Sequence, residues 1–353
     1  MRMPAGTKEA TGMTGNSIEV IARGEWVYVP VVEVNGQPLV THGRWLKIAS
    51  VHDEEWLVAE TSQPELCAAT LKNQKRGGVC ADIFTFAQKL PNKTPKYEYP
   101  MEWESVAAVE LTSFKEWWEK LPQETRKNVR RSQRRGVTVS VKPFDDNLIK
   151  GISDVNNDSP IRQRVRNVHY GKSLERVRKD YSSFVDRSDF IVTSVGEETI
   201  GFLKLVYRGE VASILSLTTK HSHYDKRPGN ALIAKAVELC EAKGVRYLTY
   251  GLFNYGNKGD NPLREFKIRN GFQEVVVPRF YLPLNLWGKL CFKLKAHRGL
   301  IGILPQNVIT AGLSARARWY TLKQWMSRCS SMLERPNRDR QMGCSNPPAG
   351  SSL

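Results

Sequence analysis

Residues 211–283 constrain the fold of this chain more than any other stretch. They open on Val211-Ala-Ser-Ile-Leu-Ser-Leu217, a short, partly β-branched apolar run followed by polar residues, which predicts a buried or half-buried strand. Asp225-Lys-Arg-Pro-Gly-Asn-Ala231 leads straight into a helix, with Leu232, Ile233, Ala236, Val237 and Cys240 on one face at the 3.6-residue period. Gly244 is placed to end that helix in the C′ position, and a second strand follows over 245–250. After a Gly/Asn-rich loop, Asn261 is placed to cap a short helix with Pro262 in its first position, and Gly271 stops it. A further strand is predicted over 273–277, closed by Pro278.

The chemistry in this stretch centres on Gly229. A helix N-terminus carries unpaired N–H groups and the positive end of the helix dipole, so it suits a phosphate or another anion, and glycine lets the ligand come close. Lys226-x-x-Gly229-x-Ala231 resembles the Arg/Gln-x-x-Gly-x-Gly/Ala loop that binds the pyrophosphate of acyl-coenzyme A in GNAT-superfamily acetyltransferases. It departs from that pattern in Lys226 and in Pro228, which has no N–H to offer. Tyr250-Gly251, Glu265-Phe266-Lys267 and Asn270-Gly271-Phe272 are similar to the ending of Fem-type peptidyltransferases and of cellulose-biosynthesis-type acetyltransferase-like domains. The resemblance covers residues 103–284 and is best after Phe190. It implies an α+β fold of GNAT type, a mixed sheet flanked by helices, with a degenerate first GNAT unit in tandem.

The rest of the chain is read around that core. Residues 1–17 are a flexible leader, and 18–145 an N-terminal α+β domain with strands over 18–34 and 40–51 and a type I′ turn at Asn35-Gly36. This domain holds a helix near 65–71, a capping box at Ser113-x-x-Glu116 and a basic helix over 123–135. Residues 146–285 read helix, helix, three strands, helix, strand, helix, strand, an α+β succession and the GNAT-like unit. A basic helical extension over 286–333 and a Pro/Ser/Asn-rich, disordered tail over 334–353 follow.

The net charge of +17 points to anionic partners: nucleic acid, phosphorylated carriers or an acidic membrane surface. Leu286-Trp-Gly-Lys-Leu-Cys-Phe-Lys-Leu-Lys-Ala-His-Arg298 alternates leucines with lysines beside a tryptophan, a pattern that fits either a lipid headgroup layer or a basic helix packed on the second domain. The six cysteines form no CxxC pair or metal spacing, and no apolar run reaches the ~18 residues of a spanning helix. A cytoplasmic protein, with peripheral contact at the inner membrane face in view, is the expectation. No Ser-His-Asp set, metal-ligand spacing or Walker-type loop is visible.

Acyl transfer to an amine needs a donor held by its phosphates, a polarised carbonyl and an acceptor able to lose a proton. Gly229, Asn230 and Ala231 are the expected main-chain donors to the phosphates, screened by Lys226 and Arg227. By resemblance, Lys267 holds a phosphate or the acceptor's anionic part. Asn254 is a candidate for substrate contact, and Tyr255, Tyr281 and His223 are candidate proton-transfer groups. Arg130, Arg131 and Arg134, on two stripes of like charge at i, i+4 spacing, fit either a solvated face or contact with phosphate or nucleic acid. The leading expectation is an acyltransferase moving an acyl or aminoacyl group from acyl-coenzyme A or aminoacyl-tRNA to an amine of an envelope or polysaccharide precursor. The competing one is a non-catalytic protein that binds nucleic acid or an anionic membrane.

Overall fold

A computed structural model describes residues 17–22, 25–53, 57–74, 79–162, 165–254 and 262–299. All belong to one compact unit within Met1–Pro305. In chain order the elements are β1 (Ser17–Ala22), β2 (Glu25–Val34), β3 (Gln37–His42), β4 (Ile48–Val51), α1 (Pro64–Lys72), β5 (Ile83–Ala87), β6 (Met101–Glu110), α2 (Phe114–Lys120) and α3 (Gln123–Arg134). They continue with β7 (Thr138–Lys142), α4 (Asp146–Asn156), β8 (Ile161–Arg162), β9 (Val165–Arg166), α5 (Leu174–Tyr181), β10 (Ser188–Val195), β11 (Glu198–Arg208) and β12 (Val211–Thr219). Then come α6 (Pro228–Ala242), β13 (Tyr247–Leu252), α7 (Pro262–Arg269), β14 (Gln273–Pro283) and α8 (Leu286–Lys293). No helix among the described residues is long and apolar enough to cross a membrane.

Twelve strands form one mixed sheet in the order β1-β2-β3-β4-β5-β14-β6-β13-β12-β11-β10-β7. The order is palindromic in kind. From either edge, antiparallel strands lead to one parallel pair, β4 with β5 on one side and β12 with β13 on the other. A helix bridges each pair, α1 in the first half and α6 in the second. Each pair is then flanked by a strand from the other half of the chain: β14 lies beside β5, β6 lies beside β13, and the two pair with each other at the centre. The sheet is therefore continuous across residues 145–146, and β6 is built into the sheet of the second half. This is the α+β mixed sheet flanked by helices that the sequence predicts.

Local chemistry accounts for the elements. Asn35 and Gly36 both take positive φ, as the type I′ turn between β2 and β3 requires. Ser113, Asp145 and Ser173 cap α2, α4 and α5 through their side chains. The stretch 40–51 is two strands, because at Gly43 a Cβ would lie 2.0 Å from the Leu46 carbonyl oxygen and the chain has to turn there. Pro278 does not close the last strand. It pairs with Trp103 and its carbonyl accepts from the Gln88 N–H, so β14 runs on to Pro283 along β5. β8 and β9, of two residues each, carry too little apolar periodicity to be read from sequence, whereas Val137, Val139 and Val141 alternate with polar residues at β7.

Three cores hold these layers. On one face of the second half, Leu232, Ile233, Ala236, Val237 and Cys240 of α6 pack on Ile191, Leu203, Leu205 and Ala212 of the sheet, with α2 and α3 outside them. On the other face, α4 and α5 bury Ile152, Val155 and Val177 against Phe190, Val192 and Phe202. In the first half Phe84, Phe86 and Phe280 pack with Leu39 and Leu71. Gly271 joins the end of α7 to the α2 layer. At its φ of +86° a Cβ would stand 2.9 Å from Trp117 Nε1, which donates to the Asn270 carbonyl. Gly271→Ala is expected to lower stability by about 3 kcal/mol, from strain and a disturbed buried hydrogen bond, as thermal or denaturant unfolding would show.

Candidate active site

The second parallel pair opens into a fork. Only Val211, Ala212 and Ser213 of β12 are in register with Tyr247, Leu248 and Thr249 of β13, the last pair joined by a 2.7 Å hydroxyl hydrogen bond between Ser213 and Thr249. Beyond it β12 follows β11 to Thr219, while β13 follows β6 to Leu252. A bulge leaves Leu215 without a partner on β11 and exposes its side chain at the fork.

The first turn of α6 follows the far end of β12. Arg227 takes the left-handed conformation (φ 58°, ψ 41°) at the N-cap and Pro228 is N1, and the helix has no side-chain cap of its own and no acidic residue in its first turn. The Gly229 N–H makes no hydrogen bond among the described residues, whereas the Asn230 N–H already donates to the Arg227 carbonyl at 3.2 Å. Ala231 is buried. A Cβ on Gly229 would meet the Phe266 ring at 3.4 Å, an ordinary contact, so α7 borders this mouth. The Asn230 side chain donates to Asn270 at 3.0 Å and ties α6 to the end of α7.

Lys267 points inward. It is fully buried, its Nζ donates to the Leu252 carbonyl at 2.7 Å and sits 4.6 Å from the Tyr250 ring centroid, at the β13 limb of the fork. Burial lowers its pKa to about 8. Asn254 lies at the same end, accepting from Arg264 and donating to Glu274, which fastens α7 to β14.

The basic helix α3 runs alongside α6. Thr125, Val129 and Ser132 are its buried side, and Arg135 just beyond it donates to the carbonyl and carboxylate of Asp225, next to Lys226 and Arg227. Arg130 stacks over Trp118 at 5.7 Å and Arg131 donates to Asn128, while Arg134 is exposed with no carboxylate partner among the described residues. The cations of α3 are thus carried on an element whose C-terminal end adjoins the Gly229 mouth.

The candidate proton-transfer groups are not gathered there. Tyr281 lies on β14 beside β5, packed against Phe292 and His297, with burial pushing its phenol up to about 12. His223 is in the turn before α6 and faces Glu198 at 3.5 Å. Tyr255 and Asn261 fall outside the described residues.

Sequence reasoning missed a polar cluster on the α4/α5 face of the β12 limb. Arg162 donates to the Thr219 and Val155 carbonyls, and Asp158 accepts from the His221 N–H and the Ser222 hydroxyl. Tyr181 is buried beside Asn156 and Ser216, which partly offset the rise of its pKa caused by burial. Three buried nitrogens in this cluster, Asn156 Nδ2, Arg162 Nε and His169 Nδ1, make no hydrogen bond among the described residues. Burial and the Lys172 charge lower the His169 pKa. Only the density of polar residues between 153 and 169 signals it in the sequence.

The first half offers a comparison at its own bridging helix. α1 also begins with a proline, Pro64, but Glu65 stands where α6 has Gly229, and that carboxylate sits in the first turn and accepts from the Tyr99 hydroxyl. Clefts of about 660 and 690 Å³ open at the opposite ends of β12 and β13, around Glu60, Lys96, Glu110 and Arg246. Two ion pairs lie in these clefts, Lys96 with Glu60 at 2.6 Å and Arg246 with Glu110 at 3.1 Å.

No family model matches the sequence, and no curated protein matches it. Among solved structures it is similar to FemX, with a TM-score of 0.52 at 10% identity over 79% of this chain and 89% of that one. It is also similar to the C-terminal domain of a putative lysylphosphatidylglycerol synthetase from Agrobacterium fabrum, with a TM-score of 0.51 at 15% identity over 76% and 88%. The fold is accordingly the GNAT-type, Fem-like one that the motifs around Gly229 and Lys267 imply.

Proposed function

We propose that this protein is an acyltransferase that takes an acyl or aminoacyl group from a phosphate-bearing donor, acyl-coenzyme A or aminoacyl-tRNA, and delivers it to an amine of an envelope or polysaccharide precursor. The observation that carries the proposal is the fork itself: parallel strands that part after Ser213 and Thr249, with a helix N-terminus at the end of one limb that has neither a cap nor an acid of its own. Support also comes from the fold shared with FemX.

In this reading the Gly229 N–H and the charges of Lys226 and Arg227 hold the donor's phosphate, and the acyl arm lies between the limbs. The acceptor nitrogen attacks the acyl carbon, the bond to the leaving sulfur or oxygen breaks, and the proton released by the nitrogen ends on the leaving group. In this reading Lys267, whose pKa burial lowers to about 8, stabilises negative charge or passes that proton.

Calorimetry with coenzyme A and filter binding with charged tRNA test the donor. If charged tRNA is the donor, replacing Arg130, Arg131 and Arg134 together by alanine is expected to flatten the salt dependence of tRNA binding by a slope of about 2 to 3 and to leave Tm unchanged. Unchanged slopes remove α3 from the donor site. Binding of nucleic acid that survives changes at both Gly229 and Lys267, with no transfer by the wild type, favours the non-catalytic alternative.

A further inference from the structure

The end of the described chain carries a second surface, far in the sheet order from the fork. α8 is fixed to the start of β5 by close backbone packing: Asn285 caps it through the Gly288 N–H at 2.7 Å and donates to Asp82 at 2.9 Å. A Cβ on Gly288 would stand 2.0 Å from the Asp82 carbonyl oxygen, so the helix lies with Gly288 and Cys291 inward. The outward side then holds Leu286, Leu290 and Leu294, spaced at i, i+4 and i+8 and 82%, 48% and 66% exposed. Trp287 is half-exposed and donates to the Trp45 carbonyl at 3.1 Å, and the two indoles meet edge to face with centroids 6.2 Å apart. Trp45 itself is 63% exposed and comes from the loop before β4.

Five large apolar side chains therefore face outward from one rigid ridge contributed by two distant parts of the chain. Arg44, Lys47, Lys289, Lys293 and Lys295 are exposed among them. No aspartate or glutamate occurs in 43–47 or 286–295. No carboxylate among the described residues pairs with those five cations. A run of exposed leucines and tryptophans is costly in water, and its cationic border excludes a basic or neutral protein face as the natural cover. A nucleic acid satisfies the cations but offers the leucines nothing. A bilayer with anionic headgroups satisfies both: indole and leucine side chains enter the boundary between headgroups and acyl chains, while the lysines stay at the phosphate level.

We propose that this ridge, Trp45 with Leu286, Trp287, Leu290 and Leu294, seats the protein on an anionic membrane surface. The inference stands apart from the acyl-transfer reading, since none of these residues belongs to the fork.

The test is co-sedimentation of the full chain with vesicles of phosphatidylcholine alone and with vesicles containing phosphatidylglycerol. The expected result is binding to the anionic vesicles, lost by tenfold or more in Leu286→Glu/Leu294→Glu and weakened several-fold in Lys289→Glu/Lys293→Glu, with Tm and circular dichroism unchanged. Equal binding of wild type and both variants overturns the proposal, as does wild-type binding that is the same for both vesicle types. Failure to bind anionic vesicles, together with a lowered Tm in Leu286→Glu/Leu294→Glu, also overturns it and assigns the ridge to a cover within the chain. Coenzyme A binding measured on the same variants reports the fork separately, so loss of one reading does not obscure the other.

Discussion

Gly229→Glu is expected to remove measurable coenzyme A binding while leaving the fold intact, and Gly229→Ala to leave both nearly unchanged. The two substitutions share a Cβ whose nearest neighbour, the Phe266 ring at 3.4 Å, is an ordinary contact, so sterics at the backbone do not separate them. Charge does. Glutamate in the first turn of α6 places a carboxylate beside the Gly229 N–H that a phosphate would use, and it repels the phosphate as well. Losing one or two hydrogen bonds to a charged ligand, at about 1.5–3 kcal/mol each, lowers affinity roughly 100-fold or more. The same carboxylate favours the helix itself by a few tenths of a kcal/mol, so Tm should hold or rise slightly. The chain contains its own precedent in α1, where Glu65 follows Pro64 as Gly229 follows Pro228. Calorimetry on the two variants decides the matter. Undiminished coenzyme A binding by Gly229→Glu removes the phosphate from this helix, and if tRNA is the donor the same pair should be compared by filter binding.

The elements around this site were legible because each is locally specified. The helical period of Leu232, Ile233, Ala236, Val237 and Cys240, the stops at Gly244 and Gly271 and the Pro at the start of α6 and of α7 all act within a few residues, and the helices fall where they predict. The fork was not legible, since it is a property of pairing: nothing in Ser213 or Thr249 announces that register ends there. Nor does any local signal say that β6 and β14 exchange places between the halves, because a strand's apolar alternation does not name its neighbour. Lys267 shows the limit most sharply. In Phe266-Lys267-Ile268 the hydrophobic pattern turns the lysine to solvent and the isoleucine inward, yet Ile268 is exposed and Lys267 is the residue without exposed surface. The Leu252 carbonyl and the Tyr250 ring, both on β13, compensate the buried amine, and they are close to it only in the folded chain. The orphaned nitrogens near Asn156 and the aromatic pair of Trp45 with Trp287 are invisible for the same reason, being made by residues far apart in sequence or by missing partners.

Lys267→Met is expected to make the protein more stable near neutral pH and nearly inactive, and the pH dependence fixes the cause. Burial brings the Lys267 ammonium from its ordinary 10.5 down to about 8. Between those values the unfolded chain binds more protons than the folded one, so stability rises with pH across that window. Below pH 8 the full cost of burying the charge is present, about 3 kcal/mol for a shift of this size. Methionine removes that cost but leaves the Leu252 carbonyl without its donor, which takes back about 1–2 kcal/mol. The net is a gain of roughly 1–2 kcal/mol for the variant at pH 7 that shrinks and then reverses as pH climbs toward 10. Lys204, also buried with a pKa of about 8, contributes a similar slope to both proteins and cancels in the difference. Transfer should fall about 100-fold or more, the loss typical of removing a preorganised electrostatic group. Lys267→Arg should not restore it, because guanidinium keeps its charge at every accessible pH. Denaturant unfolding of wild type and variant from pH 7 to 10, with transfer assayed on the same preparations, separates the two roles: a variant that gains stability as described but transfers at the wild-type rate confines Lys267 to the architecture of α7 and β13.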